Sequence, residues 1–150
     1  MAQSLAKVLV YIIFSTKCRQ RLLTKTIREE LHAYLVGTLR NLDSPAILVN
    51  SVEDHVHILC SLSRKYAISK LLEETKKESS KWIKTKGASF RGFHWQNGYG
   101  VFSVSQSRLE ETRRYIAEQE EHHRRMSFQE EFRRFLDRHQ IPYDERYVWD

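Results

Sequence analysis

Ala46-Ile47-Leu48-Val49-Asn50 and His55-Val56-His57-Ile58-Leu59-Cys60-Ser61 are two short runs of strand-forming residues with only four residues between them. Their proximity predicts a β-hairpin. Side chains alternate across a strand, so the second run places His55, His57 and Leu59 on one face and Val56, Ile58 and Cys60 on the other. Upstream, Val8 to Phe14 is apolar, β-branched and aromatic, which suits a buried strand. Between this strand and the hairpin, Thr24 to Leu39 carries Ile27, Leu31, Tyr34, Leu35 and Leu39 near helical spacing and stops at the turn residues Asn41 to Pro45.

Downstream, Ser61 to Arg64 is a loop, and Ile68 to Lys84 predicts a second helix with Leu71, Leu72, Thr75 and Trp82 turned inward. Gly87 to Gly98 is a loop rich in glycine and aromatic residues. Tyr99 to Ser105 alternates as a strand, and Ser107 with Glu110 reads as a capping box for a third helix reaching about His123. The order strand, helix, strand, strand, helix, strand, helix predicts an α+β chain of the ferredoxin-like, RRM-like kind. Its antiparallel sheet would carry helices on one face, with a further C-terminal helix. A single domain over residues 1–150 is expected. The amphipathic tail of about 127–150, with Phe128, Phe132, Phe135 and Leu136, would pack on the domain or on a partner.

The 150 residues are enough for one core. The formal net charge of +6 points to a polyanionic partner, nucleic acid first. The excess is central, with nine basic and three acidic residues in 61–107 against nine and eleven in 108–150. Arg64, Lys65, Lys76, Lys77, Lys84, Lys86 and Arg91, interleaved with aromatics such as Trp95, are candidate nucleic-acid contacts, although a solvated helix face would have the same composition. The longest apolar run, Val8 to Phe14, is too short to span a bilayer, and no secretory cleavage site follows it, so a cytoplasmic protein is expected. Cys18 and Cys60 form neither a disulfide framework nor a CxxC motif.

His55 and His57 set two imidazoles side by side on one sheet face, either as metal ligands or as structural polar groups. Tyr115 and Gln119, four apart, share one face of the third helix, where they could serve a site or merely anchor the helix. His122 and His123 follow, as candidates for nucleic-acid contact or packing. No second His-x-Ser or His-x-Thr copy is present, as a two-histidine phosphoesterase would need.

In chain order, His55-Val56-His57, Trp95 to Ser105, Tyr115 to His123 and Tyr143-Asp144-Glu145-Arg146-Tyr147 together resemble the single-tyrosine HUH transposases of the insertion-sequence 200/605 class, from about Val8 to Trp149. The resemblance implies a divalent metal, Mg or Mn, on His55 and His57, with Gln119 as third ligand. Tyr115 is then the nucleophile on the C-terminal helix. It would cut and rejoin single-stranded DNA through a covalent 5′-phosphotyrosine, next to DNA hairpins, in a homodimer with composite active sites. The setting would be a bacterial or archaeal cytoplasm, with the protein on the nucleoid when bound. A domesticated nickase that processes repeats would share this chemistry. A non-catalytic ferredoxin-like nucleic-acid module would need only the basic centre and would leave the Tyr115 and Gln119 spacing without a purpose.

Overall fold

Every residue of β1 (Leu9–Ser15) is buried in the computed structural model, which describes residues 2–150. A strand apolar on both faces must be central and covered on both sides, and the topology satisfies this. β2 (Ala46–Ser51) and β3 (His55–Ser61) form the expected hairpin, β3 pairs with β1, and β4 (Gly100–Val104) takes the other edge of β1. The sheet is antiparallel throughout, in the order β2-β3-β1-β4. That is the ferredoxin-like arrangement.

On one face lie α1 (Lys25–Asn41) and α2 (Ile68–Ile83). Leu31, Leu35 and Leu39 of α1 with Leu71 and Leu72 of α2 bury Val10, Ile12, Phe14, Val56, Ile58 and Cys60. The other face carries Tyr11, Ile13, Leu59 and Phe102, and the C-terminal third of the chain covers it. There α3 (Leu109–Ala117) contributes Ile116, and α5 (Phe128–Arg138) contributes Phe128, Phe132 and Leu136, four apart and therefore on one stripe. Ser127 Oγ accepts the Glu130 backbone N–H at 3.2 Å and caps α5. The tail packs on this same chain, with Tyr143, Val148 and Trp149 against that core. No helix of the described residues is long and apolar enough to cross a membrane.

Two local expectations are corrected. The Ser107 and Glu110 capping box does not form: a 3-10 turn, Gln106–Arg108, leads into α3, no side chain caps the helix, and the Ser107 hydroxyl pairs with Ser105 instead. The third helix is also not continuous to His123. It breaks at Glu118 (φ −98°, ψ 24°), and a separate short helix, α4 (Gln119–His123), follows. Neither proline nor glycine announces this break, which redirects Gln119 and His123.

Candidate metal and tyrosine site

On the face that β3 shares with Tyr11, among Ile13, Leu59 and Phe102, stand His55 and His57, both fully buried. Burying two imidazoles is costly unless their nitrogens are used. His55 Nδ1 meets Asp54 Oδ1 at 2.5 Å, and His57 Nδ1 is hydrogen-bonded to the Tyr11 hydroxyl. Those contacts orient each ring and leave both Nε2 atoms facing the same space, as metal-ligating histidines do. Burial pushes the His57 pKa down to about 4, which favours the neutral ring that metal ligation requires. For His55 burial acts in the same sense, but hydrogen bonds to Asp54 and Glu131 outweigh it and raise its pKa.

Two further groups enter from the C-terminal helices. His123 Nε2 lies 3.0 Å from His55 Nε2, and Glu131 Oε1 lies 3.1 Å from His123 Nε2, 3.3 Å from His57 Nε2 and 3.6 Å from His55 Nε2. One ligand atom from each of His55, His57, His123 and Glu131 falls within 4.8 Å of all the others. Neighbouring ligands of one ion at about 2.1 Å stand about 3.0–3.4 Å apart at octahedral or tetrahedral angles, so this cluster has the dimensions of a metal site. His57 Nε2 and Gln119 Oε1 are buried and have no hydrogen-bond partner among the described residues, as expected of atoms reserved for a ligand. The residues present fit a divalent cation.

Glu131 also holds the tyrosine. Its Oε2 accepts the hydrogen bond of the Tyr115 hydroxyl, so one carboxylate addresses the histidines with one oxygen and the phenol with the other. Burial alone would raise the Glu131 pKa, but His57, His123 and His55 hold it far below the usual carboxylate range. Burial and the Glu131 charge push the Tyr115 pKa well up, opposed by Arg138 and Arg134, so the resting group is a phenol. His122 stacks on the Tyr115 ring at 4.3 Å between centroids. Gln119 is buried, and its amide nitrogen donates to the Tyr115 carbonyl at 3.3 Å.

Thus the fold gathers His55, His57, His123 and Tyr115 about Glu131, a residue that no sequence motif singled out. The basic stretch expected to contact nucleic acid is not part of this assembly. It belongs mostly to α2 and the loop after it, and α2 packs on the opposite face of the sheet from the histidines. Arg64 and Lys65 lie beyond the far end of β3, beside Ser4 and Asp43. Lys77 pairs with Glu74, Lys84 bonds to Ser80, Lys86 pairs with Glu30, and Arg91 is exposed.

Two members of that set are corrected outright. Trp95 is a core residue rather than a stacking surface: it is 6% exposed, packs edge-on to Phe14 and Phe93, and gives its indole N–H to Ser79 Oγ at 3.0 Å. Lys76 is spent on structure, because its ammonium donates to the carbonyls of Gln96, Asn97 and Gly98 and burial lowers its pKa to about 8. Arg108, Arg134 and Arg138 instead share with Tyr115 the lining of a cleft of about 830 Å³. Only their spacing along two helices could have signalled this, and an acidic majority in that segment hid it.

Solved structures with this architecture include transposases. A protein assigned as a transposase in Deinococcus radiodurans R1 aligns with a TM-score of 0.62 at 20% identity, over 79% of this chain and 98% of that one. A REP-associated tyrosine transposase bound to a REP hairpin aligns with a TM-score of 0.52 at 14% identity, over 77% of this chain and 67% of that one. At such identities the likeness is one of fold. The sequence carries the assignment further: residues 4–119 match the model of the IS200-like transposases, and the chain belongs to that family. No match was found among curated protein sequences.

Proposed function

We propose that this transposase cuts and rejoins single-stranded DNA by transesterification at Tyr115. The observation that carries the reading is the shared carboxylate: Glu131 binds the Tyr115 hydroxyl and the histidine cluster at once. In the forward step the Tyr115 oxygen bonds to the scissile phosphorus and the bond from phosphorus to the 3′ oxygen breaks. The strand leaves with a free 3′ hydroxyl, and the 5′ phosphate stays on the tyrosine. The phenolic proton, held by Glu131 Oε2 in the resting site, ends on the 3′ oxygen as it leaves. Rejoining is the reverse, with a 3′ hydroxyl as nucleophile and the phenol as leaving group, so the phosphodiester energy is conserved without ATP.

His55 and His57, with Glu131 and His123, would hold the divalent ion, and Gln119 offers a buried amide oxygen as a further donor. Such an ion supplies Lewis-acid polarisation of the phosphate and stabilises its developing charge. Three imidazoles and one carboxylate suit Mn, Co or Ni better than Mg, which favours an all-oxygen shell. His122, stacked on Tyr115, keeps the ring from turning away.

The reading extends to DNA hairpins beside the cut, since the REP-associated relative in fold was solved with one, and to a cell whose DNA lies in the cytoplasm. The resemblance also implied a homodimer with composite sites. The contact of Tyr115 with Glu131 within one chain favours a site completed in cis, whatever the oligomeric state. Labelled single strands from the ends of the protein's own element, incubated with protein and Mn, test the reaction. A denaturation-resistant adduct that is lost in Tyr115→Phe and in His57→Ala is expected, and its absence with every strand would refute the chemistry.

A further inference from the structure

Arg134 and Arg138 are one helical turn apart on α5, and Glu131 begins the same row three residues before Arg134. The row therefore runs from the histidine cluster out along the cleft beside Tyr115, whose walls include both arginines. Both guanidinium groups are exposed, and neither makes an ion pair or hydrogen bond among the described residues. The contrast with their neighbours is informative. On the same helix Arg133 makes a two-pronged contact with Glu145 at 2.7 and 3.0 Å, and across the cleft Arg108 pairs with Glu111 at 2.9 Å. Two like charges at this spacing disfavour the helix slightly, and a ligand with repeated negative charge removes that penalty.

The cleft floor is aromatic. Phe102 and Phe135 stack at 5.3 Å between centroids, and the half-buried Phe135 lies edge-on to Tyr115 at 6.0 Å. Cationic groups along a groove that also holds a half-buried ring, Phe135, are the elements of a single-strand site, where backbone and unpaired base are met separately. The carboxylates that face the cleft, Glu111 and Glu131, are already engaged by Arg108 and by the histidines with Tyr115. They do not compete for Arg134 and Arg138.

We propose that Arg134 and Arg138 bind the backbone phosphates of single-stranded DNA flanking the scissile one, making this cleft, and not the lysine-rich face of α2, the path of the strand. The proposal rests on the reading of Tyr115 as the nucleophile, and binding tests it separately from chemistry. The measurement is the anisotropy of a labelled oligothymidylate of about 20 nucleotides, titrated with full-length protein over a range of salt. Arg134→Gln with Arg138→Gln should weaken binding at least roughly tenfold near 0.1 M salt and lower the salt slope by about 1.4, some 0.7 for each phosphate left without its arginine. Lys25→Gln with Arg40→Gln removes equal charge from exposed positions on α1, on the other side of the sheet, and should change neither. Wild-type affinity and slope in the α5 pair, or an equal loss in the α1 pair, would overturn the proposal. Loss in the α5 pair alone, from a protein that forms no adduct, would uphold this strand path and reject the tyrosine chemistry.

Discussion

Tyr115 and Glu131, sixteen residues apart on α3 and α5, share a hydrogen bond, and the second oxygen of that carboxylate lies 3.3 Å from His57 Nε2. The proposed nucleophile and the candidate ligand set are therefore mechanically one unit. Moving either helix disturbs both.

Glu131→Gln keeps the volume and removes the charge. It should lower Mn affinity by at least roughly tenfold in titration calorimetry, in keeping with loss of a liganding or orienting carboxylate. Adduct formation should fall on the order of a hundredfold. Unchanged Mn affinity would separate Glu131 from the site.

Cation binding should also appear as stability. An ion that binds the folded chain at about a hundred times its dissociation constant adds about 2.7 kcal/mol, which raises Tm by roughly 8 °C for a domain of this size. Chelator should reverse the shift, and His57→Ala should show none. A Tm indifferent to Mn would argue against a structural fit for the ion.

Gly100 lies where β4 meets α5. A Cβ there would come within 2.8 Å of Phe132, 3.0 Å of Phe102 and 3.1 Å of Ile13, all three buried. Gly100→Ala should therefore cost about 1–3 kcal/mol and, by lifting α5, weaken Mn binding as well. Full stability in a thermal melt would show that α5 docks more loosely than its packing implies.

Much of the architecture was legible because one rule sufficed at each point. Alternation along β3 identified its two faces and set His55 beside His57. Phe128, Phe132 and Leu136, four apart, marked α5 as amphipathic. Which sheet face that stripe covers depends on tertiary packing, so Glu131, one acid among several in its segment, carried no signal of its own. The break at Glu118 that turns His123 inward lacked any breaker residue. Counting charge along the chain could not say which sheet face the lysines would take, and α2, which holds them, faces away from the histidines.

Acid stability provides a test away from the site. His32 belongs to α1 and has Nε2 2.7 Å from Ser51 Oγ, and burial, aided by Arg28, lowers its pKa to about 4 against an ordinary value of 6.5. The unfolded chain thus takes up this proton first, and the contribution present above pH 6.5 is lost as pH falls toward 4. His32→Gln removes the titration, so its stability relative to wild type should improve by about 1–2 kcal/mol between pH 7 and pH 4 in urea melts. A constant difference across that range would mean that the ring titrates normally.

Whether one chain suffices is resolved by mixing Tyr115→Phe with His55→Ala. A site complete in cis predicts no recovery of adduct once heterodimers or mixed oligomers are confirmed by mass. Recovered adduct would assign the tyrosine to the partner chain's histidines.

The central claim is that Tyr115 itself takes the phosphate, and peptide mapping of the trapped adduct tests it most directly. Trypsin releases Tyr115 to Arg124 as one fragment, because Arg114 and Arg124 bound it. Digestion of the DNA down to its first nucleotide should leave that fragment heavier by one nucleoside monophosphate residue, with fragmentation placing the mass on Tyr115. The same mass on any other residue, or a fragment unmodified while the adduct persists, would contradict the account.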